Sequence, residues 1–118
     1  MENFELVKQM KTSQDNIISK VELNTNGNRT LIPNTIYDII SSSLIGSQLT
    51  LPIGTKIGQV IEILVSVSGF DANNTFTIAG NINGVPSSIT TIRSSFVDYK
   101  FIWSQSSQTW VSPHTVIN

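Results

Sequence analysis

The chain has 118 residues, no cysteine, a single histidine and a formal net charge of −1. That length fits one domain, and the charge balance gives no electrostatic pull toward nucleic acid or an anionic membrane. A cysteine-free chain forms no disulfide framework and no thiolate metal site, and no run of 18 apolar residues is present to cross a membrane as a helix.

Charge is concentrated at the start. Seven of the 15 formal charges fall within residues 1–22 (Glu2, Glu5, Lys8, Lys11, Asp15, Lys20 and Glu22). They would interrupt the apolar core of any secretory leader. Residues 2–22 contain no Gly or Pro and are rich in good helix formers. Phe4, Val7, Met10, Gln14, Ile17 and Val21 recur at three- and four-residue spacing, which predicts a helix within residues 1–23. Such a stripe suits a short stem that anchors the chain or joins copies of it; a helix lying on its own domain, or a partly disordered arm, is the plainer alternative.

Asn24-Thr25-Asn26-Gly27-Asn28 reads as a turn or linker, and residues 24–118 read as a β-domain. In that span 38 of 95 residues are Ser, Thr, Asn or Gln, so amides and hydroxyls solvate the surface in place of charges. Ile36–Ile40 is a strand followed by a serine turn. Gln48-Leu49-Thr50-Leu51 alternates and stops at Pro52. In the longest strand, Gln59–Ser68, the side chains of Ile61, Ile63, Val65 and Val67 share one face. Val60, Glu62, Leu64, Ser66 and Ser68 take the other. Phe76 and Ile78 alternate with threonines. Val97, Tyr99, Phe101 and Trp103 share a face opposite Asp98 and Lys100, and a turn at Ser104–Ser107 returns the chain through Gln108–Ser112. The expected fold class is all-β: an antiparallel β-sandwich or an intertwined trimeric β-domain preceded by a short N-terminal helix.

Reactive constellations are scarce. His114 has no second His or Cys to share a metal. Asp98 and Glu62 are both mid-strand, so a glycosidase-like carboxylate pair is sterically allowed, yet Asp98 and Lys100 already share a solvent-leaning face. Asp71-Ala72-Asn73-Asn74-Thr75 spaces oxygens as a calcium loop begins, but without its central Gly and late Glu; an Asx turn accounts for the same residues. The Gly54–Gly58 segment lacks the order of a phosphate-cradling loop, and no serine sits in a nucleophile elbow. Trp103 and Trp110 bracket the closing hairpin; Trp110 is a possible glycan contact, and core packing is the alternative for both. No catalytic, cofactor-binding or metal-binding residue is expected, and no enzyme activity.

The ordered set Thr35-Ile36-Tyr37, Leu49-Thr50-Leu51-Pro52, Gly58 to Val67, Asn74 to Ile78, Gly80-Asn81-Ile82-Asn83-Gly84 and Phe96 to Trp110 resembles a small β-domain of fibres and appendages in tailed bacteriophages. The resemblance covers about 80 residues. It departs at Gln59, where the family usually has an acidic residue, and in the Ser- and Thr-rich stretch from Pro86 to Ser95. It implies a homotrimer on the virion surface: a head fibre, capsid decoration or tail-fibre component, acting in adhesion or particle stabilisation. The trimer contacts would be Ile61, Ile63, Val65 and Val67, with Phe4, Val7, Met10, Ile17 and Val21 in the N-terminal segment. That segment would meet other capsid or tail proteins, and host surface glycans are a possible partner. A carbohydrate-binding module of a larger surface or secreted assembly is the alternative.

Overall fold

The computed structural model describes residues 19–112. Nine strands follow in order: β1 (Ser19–Leu23), β2 (Arg29–Thr30), β3 (Thr35–Ile39), β4 (Gln48–Thr50), β5 (Val60–Val65), β6 (Phe76–Ile82), β7 (Val85–Ile92), β8 (Val97–Ser104) and β9 (Thr109–Val111). A single 3-10 turn at Ser42–Leu44 is capped by the Ser41 hydroxyl, which accepts from the Ser43 N–H. Among the described residues there is no α-helix. All-β is therefore the fold class.

All nine strands belong to one curled sheet of order β1-β3-β5-β8-β9-β6-β4-β2, with β7 on the far side of β6. Odd strands β1, β3 and β5 neighbour one another, as do even strands β2, β4 and β6. The chain thus crosses between two halves at each of its first five connections. A segment that leaves a half and returns to it re-enters from the same end, so its neighbour there runs parallel. The pairs β1–β3, β3–β5, β2–β4, β4–β6 and β6–β9 are parallel; only β5–β8, β6–β7 and β8–β9 are antiparallel. The sheet is mixed, which corrects the antiparallel expectation.

A second correction concerns the chain start. Ser19–Leu23, included in the expected helix, form a strand in register with Thr35–Ile39. Val21 stands opposite Tyr37, and Leu23 is buried in the core. The partner strand lies beyond the range of helical periodicity, and pairing with it overrides local propensity. The β-domain consequently begins before residue 24. Phe4, Val7, Met10 and Ile17, and His114, lie outside the described residues.

One hydrophobic core joins both halves, from Leu23, Tyr37, Ile39, Ile61, Ile63, Val65, Phe101 and Trp103 to Leu49, Phe76, Ile78, Ile82, Ile92 and Trp110. Ile61, Ile63 and Val65 are wholly covered by their own chain, and Val67 is half-buried against the same cluster. The β-branched face of β5 needs no sister subunit to exclude water. At the seam, β9 pairs with β8 through Trp103↔Trp110 and with β6 through Ile82↔Trp110.

Candidate assembly surface

The outer side of the sheet carries two different surfaces. On β1-β3-β5-β8, register aligns Lys20, Ile36, Glu62 and Lys100 in one row and Glu22, Asp38, Leu64 and Asp98 in the next. This is where alternation sends the polar side chains once Ile61, Ile63 and Val65 turn inward. Asp38 is buried, accepts from the Ser66 hydroxyl and lies 3.9 Å from the Lys20 ammonium. Partial burial raises the Glu62 carboxyl above the ordinary range; a hydrogen bond with Asp98 and its like charge add to this, and Lys100 opposes it. Four carboxylates and two lysines share this face.

The other surface is built on the β6–β7 hairpin. Its turn is Asn83-Gly84, with φ of 50° and 81°. Positive φ at both central residues is what a two-residue hairpin needs to match strand twist, and Asn-Gly supplies it at little strain. Thr77 and Ala79 on β6 pair with Thr91 and Ile89 on β7. Across β4 and β2 the rows continue as Gln48–Thr77–Thr91 and Thr30–Thr50–Ala79–Ile89. β7 holds no charge, and Val85 and Ile89 are 56% and 63% exposed. Among the described residues, no strand pairs with β7 other than β6.

The closing hairpin is core. Trp110 is 0% exposed, its Nε1 donates to the Pro52 carbonyl at 2.6 Å, and its ring meets Trp103 edge-on at 5.3 Å. A wholly buried indole cannot stack on a sugar, so Trp110 as a glycan contact is corrected. Trp103 instead borders a cavity of about 250 Å³ with Leu51, Pro52, Ile53, Asn81 and Gln108. Its Nε1 donates to Gln105 Oε1, and Gly54 lies flat on its ring; a Cβ at Gly54 would come within 2.1 Å of Trp103 Cδ2. Hydrogen bonds hold the rim: Asn81 Nδ2 donates to the Gln108 carbonyl, and the Thr109 hydroxyl donates to Asn81 Oδ1.

The Asp71 turn is locally satisfied. Asp71 Oδ1 accepts from the backbone N–H of Asn73 and Asn74 and from Asn74 Nδ2, at 2.9, 3.0 and 2.9 Å. The Asn73 N–H bond, then the Asn74 amide, hold its carboxyl below the usual range. Glu62 and Asp98, which sequence leaves in separate elements, are brought together on an open sheet face. They are diagonal neighbours across β5 and β8, with Lys100 directly opposite Glu62.

The expected assembly residues of β5 are therefore internal. Val85 and Ile89 are exposed on β7, a strand that sequence reasoning missed because Val85-Pro86-Ser87-Ser88 breaks alternation. The available signal was the Asn83-Gly84 dipeptide followed by Ile89-Thr90-Thr91-Ile92.

No family model matches this chain, and no curated protein matches it. Seven chains of known structure match. One, described as "Structure of a chaperone-substrate complex", has a TM-score of 0.55 and 18% sequence identity over 78% of this chain. This chain spans 16% of that neighbour's length. At such identity the likeness is one of fold alone.

Proposed function

We propose that this chain is a structural β-module of a bacteriophage particle, assembled as a homotrimer and exposed on the virion as a head fibre, capsid decoration or tail-fibre component. It acts by adhesion or particle stabilisation, without turnover. The observation that carries the reading is the uncharged β6–β7 hairpin, with Ile89 exposed and, among the described residues, no strand on the outer edge of its regular stretch Ser88–Ile92. An edge of that kind invites strand pairing unless another chain covers it. The ordered motifs resembling phage appendage domains support the virion setting. The N-terminal segment, with its apolar stripe, is assigned to capsid or tail partners. Light scattering on the full chain tests the assembly: a mass three times the 13.0 kDa of one chain is expected. A 13.0 kDa species at high concentration would sink it.

The second reading, a carbohydrate-binding module, is favoured by the cavity beside Trp103. Its volume falls just below the roughly 300 Å³ at which small-molecule sites begin, room for one small ring. Its amide rim from Asn81 and Gln108 suits neutral hydroxyls. Titration with neutral oligosaccharides, comparing the native chain with Gln108→Ala, tests it; binding of equal strength by both would remove this site.

A further inference from the structure

The sequence holds two Asn-Gly pairs, Asn26-Gly27 and Asn83-Gly84. Backbone geometry requires the glycines, which have φ of 154° and 81°. Both asparagines are exposed to water. Asn-Gly is also the pair most prone to lose its side-chain amide, because glycine has no Cβ to shield its backbone nitrogen from the asparagine carbonyl carbon. That nitrogen attacks Cγ, the new N–Cγ bond closes a succinimide, and the Cγ–Nδ2 bond breaks. Ammonia leaves with the proton from the glycine nitrogen. Water then opens the ring at either carbonyl and leaves aspartate or isoaspartate.

The fold holds both glycine nitrogens by the same device. Gly27 N–H donates to the Ser47 hydroxyl at 2.9 Å, and Gly84 N–H to the Thr109 hydroxyl at 3.0 Å. Each hydroxyl comes from a distant part of the chain, 20 and 25 residues on. Ser47 and Thr109 are themselves buried. The asparagine side chains are tied as well. Asn26 Nδ2 donates to the Ile45 carbonyl at 2.6 Å, and Asn83 Oδ1 accepts from the Ser112 N–H at 3.0 Å. We propose that Asn26-Gly27 and Asn83-Gly84 are latent deamidation sites, kept closed by the hydroxyls of Ser47 and Thr109. This holds for the single chain, whatever its assembly.

Attack needs the glycine nitrogen to shed its proton and turn toward Cγ. A hydroxyl is too weak a base to take that proton, so the bond keeps it on the nitrogen; the Thr109 hydroxyl meanwhile donates its own proton to Asn81 Oδ1 at 2.7 Å. An anchored asparagine side chain cannot swing until its anchor breaks, so reaction waits for local opening. At Asn83 the damage would spread. Isoaspartate adds a backbone methylene to a two-residue turn whose length sets the β6–β7 register. Either product also puts a carboxylate into residues 72–92, which contain no Asp, Glu, Lys, Arg or His.

The experiment incubates the full chain, Ser47→Ala and Thr109→Val at mildly alkaline pH, with a further sample of the native chain unfolded in urea. Peptide mass mapping follows each asparagine. The folded native chain is expected to keep both amides while the unfolded one loses them. Ser47→Ala should speed loss at Asn26 by about two- to tenfold, the range that one missing hydrogen bond sets, and leave Asn83 unchanged; Thr109→Val should do the reverse. Each variant is thereby the other's control for general loosening. Hydrogen exchange on the native chain supplies a readout without substitution: the Gly27 and Gly84 amides should be protected. Equal loss in the folded and unfolded chain, unprotected glycine amides, or a variant that speeds neither pair or both alike would overturn the proposal.

Discussion

The two halves of this sheet share one core and face solvent differently. Six of the ten charged residues in the described range lie on the outer face of β1, β3, β5 and β8 (Lys20, Glu22, Asp38, Glu62, Asp98 and Lys100). The β6–β7 hairpin has none. Both surfaces follow from the same alternation, since each strand sends every second side chain outward. What differs is the kind of side chain sent out. Lysine and carboxylate keep a sheet face wet and discourage edge pairing; threonine, alanine and isoleucine do neither. The contrast separates a charged face from an uncharged one within one continuous sheet.

The strongest way to break that comparison is at the seam. Trp110→Ala removes the indole that β8 and β6 share, and should cost about 3–5 kcal/mol, read as a loss of urea midpoint. If the halves were independent, the loss would appear in one of two transitions; a single cooperative transition that shifts as a whole is expected. Gly54→Ala comes next. Its added methyl would meet the Trp103 ring, and overpacking of this kind costs about 1–3 kcal/mol by the same assay.

Smaller changes sharpen the contrast between surfaces. Phe96 is 70% exposed and holds a φ of 56°, which a bulky side chain adopts only with strain. Phe96→Gly should raise stability by about 0.5–1 kcal/mol, measured as a higher melting temperature. Unchanged or lowered stability would mean that the ring makes a contact outweighing the strain. On the charged face, Glu62 binds its proton more tightly folded than unfolded. Stability therefore falls as pH rises from the unfolded carboxyl value of 4.5 through the raised folded one, and stays lower above it. Glu62→Gln should flatten that decline in melting temperature between pH 4 and 7, by under about 1 kcal/mol given its exposure. Asp71 works the other way. Its carboxyl is stabilised in the turn, so its contribution is present above 3.8 and is lost as pH falls through the lowered folded value; Asp71→Ala should remove that acid-side loss.

Much of the fold is legible in local pattern. The alternation of β5 predicts which face is buried, and Ile61, Ile63 and Val65 are indeed internal. The Asx turn at Asp71 and the β8–β9 hairpin are equally local, because their bonds join residues close in the chain. The candidate surface was harder to read. β7 hides behind serines and Pro86, and its exposure depends on β6 having another set of partners on its inner side.

The sequence by itself determined the all-β character, the burial of the β-branched face and the abundance of surface hydroxyls and amides, since these follow from side-chain period and residue type. Tertiary structure alone decided that Ser19–Leu23 is a strand, that the sheet mixes parallel and antiparallel pairs, that Glu62 and Asp98 are diagonal neighbours, and that Trp110 is sealed at the seam. Each of those depends on pairing between residues far apart in the chain, and nothing in a local pattern encodes which distant strand will be the neighbour.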